Sequence, residues 1–155
     1  MEKLTYTHND AAAKALAAFY ETPPLAYVRS YGCQQNVADS EKIKGMLEQS
    51  GFEFADEPDN ADFILFNTCA VREHAEDRVF GNVGALKNLK RKHPQILIAL
   101  CGCMMEQEHI ANRIYKSFPF VGLVFGTHSL HHFPELMYNA VSYTHLRAHE
   151  TLSDL

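Results

Sequence analysis

The run Phe63-Ile64-Leu65-Phe66 is stopped by Asn67-Thr68 and followed at once by Cys69. An uninterrupted apolar run this short reads as a buried strand, because it is too short for a free-standing helix. The pattern occurs twice more. Ala26-Tyr27-Val28-Arg29-Ser30-Tyr31 runs into Gly32-Cys33, and Ile96-Leu97-Ile98-Ala99-Leu100 runs into Cys101-Gly102-Cys103. Cys69 stands 36 positions after Cys33, and Cys103 stands 34 positions after Cys69. That spacing is one strand-helix unit per cysteine, with a thiol delivered at each strand end.

The segments between these strands carry helical signals. Asp39 or Ser40 is expected to cap a helix with Glu41 in its first turn, an apolar stripe of Ile43, Met46 and Leu47, and Gly51 just past its end. A second helix is expected over about His74 to Lys92, where Ala75, Val79, Val83, Leu86 and Leu89 step by threes and fours before Pro94. A third is expected over Glu106 to Ser117, burying Ile110, Ile114 and Tyr115. A fourth strand spans Val121 to Phe125, and a fourth helix follows with Pro134 near its start and Phe133, Leu136, Met137 and Ala140 inward.

Strands alternating with helices predict right-handed crossovers and a parallel sheet covered on both faces. The predicted class is α/β, a flavodoxin-like three-layer sandwich of about four strands in the order 2-1-3-4, with the first strand between the second and third. All three cysteines then lie just past carboxyl ends at one edge. Parallel strands are about 4.8 Å apart, so three adjacent tips span roughly 10 Å.

The 155 residues, 46% of them hydrophobic, suit one domain. Residues 1–24 read as a peripheral segment, with a short helix over Ala11 to Tyr20 ended by Pro23-Pro24; residues 25–141 read as the folded unit and residues 142–155 as a tail. No stretch approaches the roughly 18 apolar residues of a membrane span. Met1 to Asp10 lacks the apolar core of a secretory signal, which points to a cytoplasmic protein with no membrane partner, expected as a monomer. A net charge of −5 argues against strong nucleic-acid binding by this chain alone. Its one basic cluster, Lys87 to His93, reads as a helix end whose cations complement the macrodipole.

Four cysteines in such a chain favour metal ligation or redox chemistry over structural disulfides. Thiolates select zinc, copper(I) or iron–sulfur clusters. A structural zinc site draws paired ligands from tight knuckles, whereas here the thiols sit on separate tips. That favours a four-iron cluster held by Cys33, Cys69 and Cys103, with one iron left open for a substrate atom. Cys101 stays open as a fourth ligand at this stage, although it sits inside the strand and Gly102 then turns the chain. Gln34, Asn36, Asn67, Thr68 and Arg72 lie beside the thiols, where donors to sulfur would tune a cluster. Arg72 could equally pair with Glu73 or Glu76 at a helix start. His74, His109, His128, His131 and His132 show no metal spacing and read as surface or helix-start residues.

These residues also carry a resemblance. Tyr31-Gly32-Cys33-Gln34-Gln35-Asn36 with Asp39-Ser40-Glu41 resembles the first signature of the radical-SAM methylthiotransferases. Asn67-Thr68-Cys69-Ala70-Val71-Arg72-Glu73 resembles the second, and Gly102-Cys103-Met104 with Gln107-Glu108 the third. Phe125-Gly126-Thr127-His128 and Phe133-Pro134-Glu135-Leu136 look most like the tRNA branch of that family, the MiaB-type enzymes. The match covers about Leu25 to Val141. The resemblance implies an amino-terminal domain whose Cys33, Cys69 and Cys103 hold an auxiliary [4Fe-4S] cluster, with Cys101 outside it. It also implies methylthiolation of C2 of N6-isopentenyladenosine in tRNA.

The departures matter as much. The family's C-x-x-x-C-x-x-C motif, which holds a second [4Fe-4S] cluster that cleaves S-adenosylmethionine, has no counterpart among these residues. Nor does its RNA-binding domain. Ser142 to Leu155 resembles translated adapter or vector read-through, so the chain is expected to be a truncated product, inactive alone and with weak or no tRNA binding. Other readings are a relative acting on a ribosomal protein or on threonylcarbamoyl-adenosine, and, in another class, a zinc-stabilised or flavodoxin-like binding module.

Overall fold

In a computed structural model, the backbone is described for residues 11–12, 14–18, 20–31, 34–68 and 73–153, and the side chains of these except residues 34–36, 73–76, 128 and 144–153. Five strands form one parallel sheet: β1 (Leu25–Ser30), β2 (Glu53–Phe54), β3 (Phe63–Thr68), β4 (Leu97–Gly102) and β5 (Leu123–Phe125), in the order β2-β1-β3-β4-β5. The crossovers carry α1 (Gln34–Gln49), α2 (Glu73–Ala85), α3 (Lys87–Lys92) and α4 (Glu108–Ser117), and α5 (Phe133–Ser153) follows β5. Short 3₁₀ turns lie at Pro58–Asn60, Cys103–Glu106 and Thr127–His132. This is the doubly wound α/β fold expected, with the flavodoxin-like order extended by a fifth strand.

The segment in second place is not the one expected. Glu53–Phe54 takes the outer position against Leu25 and Ala26, and β3 lies between β1 and β4. The reason is burial. All six residues of β3 and all six of β4 are buried, whereas β1 buries only Ala26 fully. A continuous apolar run needs cover on both faces and neighbours on both sides, and β1, with Arg29 and Ser30, does not. The switch in strand order therefore falls between β1 and β3, not between the first strand and the segment Ile96 to Leu100.

The sheet separates two cores. One holds Ile64, Phe66, Ile98 and Leu100 with Val79, Val83, Ile110 and Ile114 from the helices. The other holds Phe63, Leu65, Leu97 and Ala99 with Ile43, Leu47, Phe133 and Met137. Leu16, in the segment read as peripheral, is fully buried in the second core.

Several helix boundaries differ from expectation. α1 starts at Gln34, so Asp39 and Ser40 are buried inside it and do not cap it. The expected helix over His74 to Lys92 is two, broken at Leu86. Lys90 folds back, its Nζ donating to the carbonyls of Pro94 at 2.7 Å and Ile96 at 2.5 Å, which closes the basic helix end. Tyr115 is 84% exposed, not inward, while Ile110 and Ile114 carry the buried stripe. No helix among the described residues is long and apolar enough to cross a membrane.

Val83 is fully buried at the centre of the first core. Val83→Ala is expected to cost on the order of 1–3 kcal/mol through the cavity it leaves. Urea unfolding would measure it; a loss below a few tenths of that range would show the helix face to be loosely packed.

Candidate metal centre

β1, β3 and β4 are neighbours, run the same way, and end at one edge in the register Ser30 to Asn67 and Thr68 to Gly102. The chain leaving each of these ends carries a cysteine within three residues. Cys69 is bonded directly to Thr68, and Cys33 directly precedes Gln34, the first residue of the 16-residue α1. Cys33, Cys69 and Arg72 lie outside the described residues, and the side chains of Gln34 and Asn36 do too. Among the described residues no three His, Cys, Asp or Glu side chains form a metal set. The donor chemistry fits a thiophilic group, since the sequence leaving each of three adjacent strand ends contains one cysteine.

Cys103 is exposed and opens the 3₁₀ turn that caps β4. Gly102 makes that possible. Its φ is +113°, a region that favours glycine, and a Cβ there would stand 2.0 Å from the Thr68 carbonyl oxygen and 2.9 Å from Asn67 Oδ1. After Cys103 the turn is anchored at both ends. Met104 and Met105 are buried, and Thr127 Oγ1 donates to Glu106 Oε1 at 3.1 Å. A Cβ on Gly126 would stand 2.5 Å from Glu106 Cγ, so the β5 end packs directly on this turn.

Cys101 differs in every respect. It is 2% exposed and belongs to the second core. Burial first, and the Asp39 carboxylate second, push its thiol far above the ordinary range and hold it neutral. A neutral core thiol is the poorer ligand, since metals take the thiolate.

Of the polar neighbours read from sequence, Asn67 and Thr68 are buried at 1% and 0% exposure. Thr68 Oγ1 donates to the Cys101 carbonyl at 2.8 Å, locking β3 to β4 near their carboxyl ends. Asn67 Nδ2 donates to Ser40 Oγ at 3.1 Å. Sequence reasoning missed the roles of Ser30, Ser40, Glu106 and Asn82. The last donates to the Tyr31 hydroxyl at 2.8 Å, holding a ring that also meets Phe66 edge-on at 5.4 Å and stacks under Arg29 at 4.7 Å. Burial raises the Tyr31 pKa, so the phenol stays protonated.

A doubly wound parallel sheet whose three adjacent carboxyl ends each lead into a cysteine defines a flavodoxin-like, thiol-bearing domain. The chain belongs to the family described as Uncharacterized protein family UPF0004, whose model matches residues 25–126. It is 53% identical over 116 residues to a tRNA-2-methylthio-N(6)-dimethylallyladenosine synthase of Caldicellulosiruptor saccharolyticus, a match covering 75% of this chain and 25% of that protein. Proteins of the same name match from Clostridium perfringens, 50% identical over 76% of this chain and 26% of theirs, and from Halalkalibacterium halodurans, 51% over 74% and 21%. The chain thus spans about a quarter of the length of the curated relatives it matches.

Gly102→Ala is expected to cost roughly 3 kcal/mol, the upper end for a strained backbone position, because the Thr68 backbone must also shift. Gly45→Ala, inside α1 with nothing within 4 Å of the new Cβ, is expected to stabilise by about 0.5–1 kcal/mol. Chemical denaturation of both variants checks the contrast; equal effects would mean that Gly102 is not needed for the turn into Cys103.

Proposed function

We propose that Cys33, Cys69 and Cys103 together hold a [4Fe-4S] cluster, and that this chain is the amino-terminal domain of a tRNA methylthiotransferase acting on C2 of N6-isopentenyladenosine. The observation that carries this reading is the adjacency of β1, β3 and β4 with their cysteine-bearing ends at one edge. The relatives, tRNA-2-methylthio-N(6)-dimethylallyladenosine synthases by name, support the substrate. When bound, the cluster supplies an iron without a protein ligand, open to a sulfur atom. This chain's own part is to hold three thiolates at one edge while keeping Cys101 apart. Gln34, Asn36, Asn67, Thr68 and Arg72 are the side chains proposed to tune the site. Residues 25–141 are proposed as the domain, with Leu16 of the preceding segment packed into its second core, and deleting residues 142–155 is expected to leave the urea midpoint almost unchanged.

The radical step of such an enzyme uses S-adenosylmethionine and a second cluster. Beyond the three proposed ligands, these 155 residues hold only Cys101. That step, and tRNA binding, are therefore assigned to other parts of a longer cytoplasmic protein, and this chain alone is proposed to be inactive.

Anaerobic reconstitution with iron and sulfide tests the site. About four irons and four sulfides per chain are expected, with absorbance lost in Cys33→Ala, Cys69→Ala or Cys103→Ala and retained in Cys101→Ala. One zinc per chain and no sulfide would move the assignment to a zinc-stabilised module. Supplied with S-adenosylmethionine, reductant and isopentenylated tRNA, the chain should release no 5′-deoxyadenosine. Release in proportion to protein concentration would mean that these thiols hold the other cluster.

A further inference from the structure

Beneath the carboxyl edge, three polar side chains meet in a mostly apolar layer. Ser30 ends β1, Ser40 lies in the middle of α1, and Asn67 is next to last in β3. Ser40 is 3% exposed and Asn67 1%. The Ser40 hydroxyl accepts from Asn67 Nδ2 at 3.1 Å and shares a hydrogen bond with the Ser30 hydroxyl. Asn67 also reaches the other two ends. Its backbone carbonyl accepts from the Tyr31 N–H at 2.7 Å, and its Oδ1 stands 2.9 Å from where a Gly102 Cβ would be. The segments leading to Cys33, Cys69 and Cys103 therefore converge on one amide and one hydroxyl.

An apolar helix face tolerates small slides along a sheet, because dispersion and burial have little direction. A buried hydrogen bond does not, since it weakens steeply off its axis and an unmade one is costly to leave buried. Elsewhere among the described side chains α1 meets the sheet through Ile43 and Leu47, with the buried Asp39 carboxylate beside Cys101, so the Ser40 hydroxyl is one of the few polar groups that give this contact direction. We propose that Ser40 is a positioning residue: acting through Asn67 and Ser30, it fixes where α1 places the segment bearing Cys33 relative to the one bearing Cys69. This rests on the proposed cluster role of those cysteines.

The full chain tests it with Ser40→Ala against Ser50→Ala. Ser50 is a fair control: 2% exposed, just past the far end of the same helix, its hydroxyl donating to the Met46 carbonyl at 3.0 Å. Both variants should lower the urea midpoint of the metal-free chain by a similar amount. Only Ser40→Ala should speed iron loss from the reconstituted chain to a chelator, by about 10-fold, the low end of what losing an outer support does to a metal site. Only Ser40→Ala should lower the yield of Cys33–Cys69 cross-link formed by a bifunctional thiol reagent on the metal-free chain, read by mass spectrometry. Equal iron loss and equal cross-linking in the two variants would overturn the proposal. If the unaltered chain takes up no iron, the cluster reading fails, and the cross-link yield alone decides the positioning role. Should Ser40→Ala not fold, Ser30→Ala removes the Ser30–Ser40 half of the tie, leaving the bond from Asn67, and a smaller change of the same sign in iron loss and cross-linking is expected.

Discussion

The placement of β3 is the constraint on which the rest depends. Its two faces are both apolar, with Ile64 and Phe66 in one core and Phe63 and Leu65 in the other. A one-residue slip exchanges faces, yet both faces would still be apolar, so hydrophobicity alone leaves the register open. The polar residues at the two ends close it. Asp62 takes the Leu25 N–H on its carboxylate at 2.9 Å, donates its own N–H to the Leu25 carbonyl at 2.7 Å, and offers its carbonyl to Leu97. Asn67 and Thr68 do the equivalent at the other end, toward Ser40, Tyr31 and Cys101. A slip of two residues would keep the faces but move Cys69 by about 6.6 Å along the strand, and these ties resist it.

The same economy separates two cysteines only two positions apart. In a continuing strand Cys101 and Cys103 would share a face. Gly102 breaks the alternation by taking a positive φ in a space too tight for any side chain. One thiol is left in the core, neutral by desolvation, and the other emerges at the tip, accessible to a ligand. A cluster ligand must be reached, and of these two only Cys103 is exposed.

What was legible in the sequence follows how long a signal each element carries. The runs at Phe63 and Ile96, the stripes of α4 and α5, and the class they imply needed only periodicity and apolar length. β2 was illegible because Glu53–Phe54 is two residues long and both are exposed; its pairing comes from the chain being returned there by Gly51 at φ +89°. That one missed strand changed which neighbour β1 was given. The start of α1 was misplaced because Asp39 and Ser40 suit a cap by type, and only the partners across space show them to be interior. The cysteine spacing was legible because it repeats with the strand-helix unit. The ties among Ser30, Ser40 and Asn67 join residues up to 27 positions apart, and nothing local announces them.

Different forces hold the two regions of this sheet. Its middle rests on buried apolar side chains, each worth about 1.5–3 kcal/mol before entropy is subtracted. Its carboxyl edge rests on a few hydrogen bonds of about 0.5–1.5 kcal/mol net. Removing one bond at the edge leaves most of the folding free energy in place, while the strand ends there lose one of their directional restraints. The geometry of the thiol edge is therefore separable from the stability of the fold. A sheet built this way can keep its core while the edge varies, because Ile64, Leu65, Ile98 and Ala99 fill the apolar layers, whereas Ser40, Asn67, Thr68 and Gly102 join the strand ends through hydrogen bonds and a tight turn.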